Sequence, residues 1–154
     1  MVSRISHILL FFWIFSCQSP GYFQSQEVIK TEDELQERLI KDIIVSLQHN
    51  FPPAKTRFIF QHQGKKLGLA LDQALRKLGY GIEEKPADVN KTAQVPRLGV
   101  VKLKLAYILS PLDSHELGLV QLRLVVGEEF EISRLYRKKD GSYSAAGPLL
   151  LRKG

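Results

Sequence analysis

The chain carries a single thiol, Cys17, directly after the apolar run Ile8–Phe15 and Ser16. A lone cysteine forms no disulfide within its own chain and no cysteine pair around a metal. The histidines are His7, His49, His62 and His115, and none stands at a metal-ligand spacing from another. His49, His62 and His115 fall after a helix-like segment, after a strand-like segment and in a turn, and are expected at the surface. Asp113, Ser114 and His115 are adjacent in sequence. Triad groups meet through the fold, whereas neighbours on a turn splay apart. Gly64-Lys65 lacks the upstream glycine and the following hydroxyl residue of a phosphate-cradling loop. The expectation is therefore no enzyme, no metal, no cofactor and no small-molecule substrate, but a structural or interaction protein.

Cys17 is better explained by what precedes it. Eight apolar residues make about 12 Å of helix, whereas a bilayer core needs about 20 such residues. Arg4 precedes the run and no acid occurs before Glu27. This is the pattern of a signal peptide. Ile14-Phe15-Ser16-Cys17 resembles a bacterial lipobox, with an aliphatic residue three before the cysteine and a small one directly before it. The resemblance implies diacylglycerol on the Cys17 thiol and cleavage before it. The alternative is a secreted chain with an incidental cysteine in its leader. Gln18, not an acid, follows the cysteine, which in enteric-type sorting permits export to the outer membrane. Residues 1–16 are thus read as a lipoprotein signal peptide. Residues 17–30, rich in Ser, Pro, Gly and Gln, are read as a lipidated tether.

Residues 31–154 are expected to form one domain, since 44% of the chain is apolar and no disulfide is available to replace a core. Thr31 with Glu34 makes a capping box. Leu35, Leu39, Ile43 and Leu47 then recur every fourth residue, predicting an amphipathic helix that ends at Phe51-Pro52-Pro53. Thr56–Gln61 alternates as a short strand. Leu67, Leu71, Leu75 and Leu78 predict a second helix closed by Gly79, and Tyr80-Gly81-Ile82 begins another short strand. Residues 85–97 read as a surface loop.

The last third alternates as a meander. Val101, Leu103, Leu105, Tyr107 and Leu109 share one face of the first strand, and Val120, Leu122, Leu124 and Val126 point inward from the next. A third strand follows Gly127-Glu128-Glu129, with a bulge expected near Arg134, where the alternation slips. Asp140-Gly141 marks a tight turn. The predicted fold class is α+β, an antiparallel meander with about two helices packed on one face.

The net charge is +6. It is dispersed in short clusters without interleaved aromatics, so direct nucleic-acid contact is not the favoured partner.

Gly79-Tyr80, Asp113, Ser133-Arg134-Leu135-Tyr136, Asp140-Gly141 and Ala146-Gly147 occur in an order that resembles the TrbH family of conjugal transfer lipoproteins. That resemblance implies a subunit of a conjugative type IV secretion (mating-pair formation) apparatus, anchored in the outer membrane and facing the periplasm. Its partners would be the membrane, through Cys17, and the channel subunits that support plasmid DNA transfer. Arg134 and Tyr136 are the candidate partner contacts, because arginine and tyrosine are good interface anchors. The alternatives are an interaction module of another envelope complex and a basic nucleic-acid-binding protein.

Overall fold

The computed structural model describes residues 24–84, 99–112 and 118–154. The leader, Cys17, the loop at 85–98 and the turn bearing Asp113, Ser114 and His115 lie outside the described residues. Two helices and eight strands follow one another in the order β1 (Gln26–Glu27), α1 (Asp33–Asn50), β2 (Thr56–Phe60), α2 (Lys66–Lys77), β3 (Gly81–Glu83), β4 (Val101–Pro111), β5 (Leu119–Val126), β6 (Phe130–Lys139), β7 (Ser142–Ala145) and β8 (Leu150–Lys153). The fold is α+β, as the alternation and the helical stripes predict.

All eight strands join one sheet, ordered β3-β2-β4-β5-β6-β7. β4, β5 and β6 form the expected antiparallel meander. The other pairings correct the expectation of a wholly antiparallel sheet. β2 runs parallel to both β3 and β4, and β1 runs parallel to β4 beyond the end of β2. The reason is connectivity: α2 lies between β2 and β3, and such a crossover returns the chain in the same direction. On the opposite side, β7 and β8 share the outer edge of β6 in tandem.

The register places Tyr107 beside Leu124 and Ile132, Leu105 beside Val126 and Phe130, and Leu109 beside Leu122 and Arg134. These residues form the inner face. The predicted bulge is absent, because β5 and β6 pair without interruption from Leu119↔Arg137 to Val126↔Phe130. Arg134 is an inward-facing residue in regular alternation, and its charge, not a shift in register, breaks the apolar pattern.

Both helices cover this inner face. Leu35, Leu39, Ile43 and Leu47 of α1 and Leu67, Leu71 and Leu75 of α2 are almost wholly buried, in one core with Phe58, Phe60 and Tyr107. Burying each such side chain contributes about 1.5–3 kcal/mol. Gly79 closes α2 as predicted, with the Gly79 and Tyr80 amides donating back to the Arg76 and Leu75 carbonyls. The predicted capping box at Thr31 does not form. Glu32 stands at the N-cap without a side-chain capping bond, and the Thr31 hydroxyl is drawn away to Glu27.

The outer face alternates with the inner one and presents Arg57, Lys102, Lys104, Arg123, Arg137 and Arg152 around Glu83 and Glu131. Neither helix packs on it. Arg123 and Arg152 both pair with Glu131, at 2.9 and 2.8 Å. The Arg123 guanidinium, by hydrogen bond and then by charge, holds the Glu131 carboxyl below its ordinary value of 4.5, against the opposing pull of burial. The unfolded chain thus binds a proton at Glu131 more readily than the folded one, so this contribution is complete above about pH 4.5 and is lost as pH falls through the lowered folded value. Glu131→Gln is expected to flatten the acid limb of stability in thermal melts taken from neutral pH down to about pH 3.

Candidate functional site

Two polar joints fasten the helices to the sheet. The first centres on Asp42, two turns from the C-terminal end of α1. Its Oδ2 accepts from Arg134 Nη1 at 2.9 Å and from the Tyr136 hydroxyl at 2.7 Å. Tyr136 is fully buried. The Arg134 and Asp42 side chains are 24% and 20% exposed, and the guanidinium lies 6.0 Å from the Tyr136 ring centroid. The two residues singled out from the sequence are therefore brought together, and both face α1. Burial, then the Asp42 carboxylate, pushes the Tyr136 hydroxyl far above its ordinary range, so it remains a donor. Among the described residues two buried polar atoms, Arg134 Nε at this joint and Gln36 Oε1 elsewhere on α1, have no hydrogen-bond partner.

The same inner row continues along β6 with Lys138, whose Nζ donates to both Glu32 oxygens at 2.7 and 2.8 Å. Tyr143 of β7 donates its hydroxyl to Glu32 and its amide to Glu34. The inner face of β6 thus passes from apolar (Phe130, Ile132) to donor-bearing (Arg134, Tyr136, Lys138), and the acids of α1 meet the donors. The i, i+2, i+4 spacing of these donors on a strand was the available signal. Nothing local in the sequence names their acceptors, which lie about a hundred residues upstream.

The second joint centres on Glu27. Its Oε1 accepts the Tyr107 hydroxyl at 2.5 Å and the amides of Leu67 and Gly68 at 3.1 and 3.4 Å. Its Oε2 accepts from Thr31 at 3.3 Å. A carboxylate at a helix N-terminus satisfies orphan amides and favours the helix dipole. Glu27 performs this for α2, which has no side-chain cap of its own. The tether read over residues 17–30 consequently meets the fold before its assigned end: Ser25 is buried and Gln26–Glu27 pairs with β4. A polar composition concealed this, because the strand is only two residues long.

His62 also departs from expectation. It is buried, with its ring 5.4 Å from that of Phe60 and its Nδ1 accepting the Gly64 amide. His49 is exposed, as predicted. Gly68 makes the approach of α2 possible, since a Cβ there would lie 2.3 Å from His62 Cβ and 2.9 Å from the Tyr107 hydroxyl.

An open depression of about 640 Å³ lies at one end of the sheet, between Phe51, Lys102, Lys104, Glu128, Phe130 and Lys153. Its lining combines two aromatic rings with amines and carboxylates. Among the described residues no cluster of three metal-ligating side chains occurs, and no helix is long and apolar enough to cross a membrane.

Asp42→Asn is expected to lower the unfolding free energy by about 1–3 kcal/mol, and Tyr136→Phe by about 1 kcal/mol. The double variant should show a coupling of at least about 0.5 kcal/mol in urea denaturation; strict additivity would mean that the two groups act independently. Gly68→Ala should cost about 1–3 kcal/mol, because His62 or the helix must move, and amide exchange should accelerate in the first turn of α2.

No curated protein and no solved structure matches the chain. A family model does, that of conjugal transfer protein TrbH, over residues 17–154. The match takes in α1, Asp42 and both joints, beyond the second half of the chain where the short motifs lie. With Arg134 and Tyr136 of the Ser-Arg-Leu-Tyr motif engaged in the same fold, the chain belongs to the TrbH family of conjugal transfer proteins.

Proposed function

We propose that this conjugal transfer protein is a lipid-anchored structural subunit of a conjugative type IV secretion apparatus, held at the outer membrane by Cys17 and facing the periplasm. The family match over residues 17–154 is the observation that carries this reading. It begins at Cys17, the residue that the lipobox-like Ile14-Phe15-Ser16-Cys17 would make the first of a mature chain. A compact domain with reinforced helix–sheet joints and a mixed-charge depression suits scaffolding among envelope subunits. Arg134 and Tyr136 act on partners through α1 in this reading. They fix its position, and with it the charged patch of Glu34, Glu37, Arg38 and Lys41 on its solvent side.

The test is affinity purification of the intact protein from crosslinked envelopes, with the copurified proteins identified by mass spectrometry. Recovery of secretion-channel subunits is expected, and Cys17→Ser should abolish it, leave the leader uncleaved and release no lipid-modified chain. Processing and lipid modification that persist in Cys17→Ser would refute the anchoring reading. Recovery of unrelated envelope proteins alone would refute the assignment to the channel.

A further inference from the structure

The two sides of the sheet differ in how far their charges are balanced. The outer face of the sheet carries seven cations, Arg57, Lys102, Lys104, Arg123, Arg137, Lys139 and Arg152, against two carboxylates, Glu83 and Glu131. On the other side of the sheet, acids and cations are matched in ion pairs, Asp33 with Lys66, Asp72 with Arg76, Asp42 with Arg134 and Glu32 with Lys138. From β3 across to β8 the basic face is six strands wide, roughly 24 Å at the usual strand spacing. Half-buried Ile59, Ile108, Val125 and Leu135 lie between the charges.

The aromatic rings of the described sheet lie on the opposite face. Phe58, Phe60, Tyr107, Phe130, Tyr136 and Tyr143 are all buried. Single-stranded nucleic acid is held by stacking on exposed rings, and the basic face offers none among the described residues. It offers distributed positive charge, which suits an array of phosphates.

The tether supplies the second argument. Cys17 lies nine residue steps before Gln26, where β1 joins the sheet. An extended chain of that length reaches at most about 30 Å. A lipid at Cys17 would therefore keep the sheet beside the bilayer at a high effective concentration, where even weak attraction fills the contact.

We propose that the outer face of the sheet docks on the anionic phospholipid headgroups of the membrane that anchors the chain, turning α1 and its acids toward the periplasm. The proposal rests on the anchoring reading above. Basic residues near an anionic leaflet are each attracted to it, and the attraction falls away within a screening length. The helix side, where acids offset the cations, is attracted less, so charge favours the orientation with the sheet against the headgroups.

The experiment uses the full-length processed protein in vesicles, with an environment-sensitive fluorophore on Ser133→Cys in the outer face or on Val45→Cys on the exposed side of α1. One label per chain reports that the Cys17 thiol is blocked by its lipid thioether; two would refute anchoring. The difference between the two sites reads the docking separately, because a label on Cys17 contributes equally to both. The Ser133 site is expected to respond to vesicles containing phosphatidylglycerol and not to neutral phosphatidylcholine. The response should vanish near 1 M salt, where the screening length is about 3 Å. The Val45 site should stay unchanged. Arg57→Gln, Arg137→Gln and Arg152→Gln together should weaken the response on the order of tenfold, with circular dichroism confirming the fold. Equal responses at both sites, or in both lipids, would overturn the proposal. So would a Ser133 response driven by duplex DNA in the absence of anionic vesicles.

Discussion

One carboxylate joins three parts of the chain that sequence alone keeps far apart. Glu27 stands on a strand of two residues, receives the hydroxyl of Tyr107 from the central strand β4, and closes the open N-terminus of α2. A helix with no cap of its own would otherwise leave amides unsatisfied next to a packed core. Tyr107 has the converse need, for its hydroxyl is deep enough that burial, then Glu27, pushes its pKa far above the ordinary range. Donors and acceptor satisfy one another only when β1, β4 and α2 are all in place. The tight seating of Gly68 against His62 and Tyr107 depends on that same alignment.

The Asp42 joint serves α1 in a different way. Four buried leucine and isoleucine positions give α1 its affinity for the sheet, but apolar burial is non-directional. Asp42 aligned with Arg134 and Tyr136, and Glu32 with Lys138 and Tyr143, selects one axial position along β6 and β7. A polar contact buried among apolar ones often matters more for register than for net stability. The Ser133–Tyr136 segment therefore has a structural role in this chain: it is the sheet's half of a helix lock.

Much of this fold is legible in the sequence. The stripe Leu35-Leu39-Ile43-Leu47 and the alternation from Leu103 to Val126 place their elements to within a residue or two, because both patterns report burial directly. What escapes is whatever depends on partners distant in the chain. The parallel pairing of β2 follows from the crossover through α2, which periodicity does not encode. Arg134 breaks an apolar row, and without Asp42 in view the break is indistinguishable from a bulge. His62 reads as a surface residue until Phe60 and the Gly64 amide enclose it. Strands β1 and β8 are short or exposed throughout, so they bury too little to leave a signal. Of the candidate site residues, Arg134 and Tyr136 were visible as a motif, but their common acceptor was not.

The two-residue strand β1 also determines how the domain responds to mechanical load. Tension applied along residues preceding Gln24 arrives first at β1, whose hold on β4 consists of a few backbone bonds and the Glu27 cluster. The meander behind it is joined along eleven-, eight- and ten-residue strands. A pull at the N-terminus therefore strips β1 before it disturbs the meander. Releasing Ser25 to Thr31 would lengthen the lead by roughly 20 Å at extended-chain spacing. The junction acts as a mechanical fuse, yielding at a short strand while the larger sheet keeps its shape.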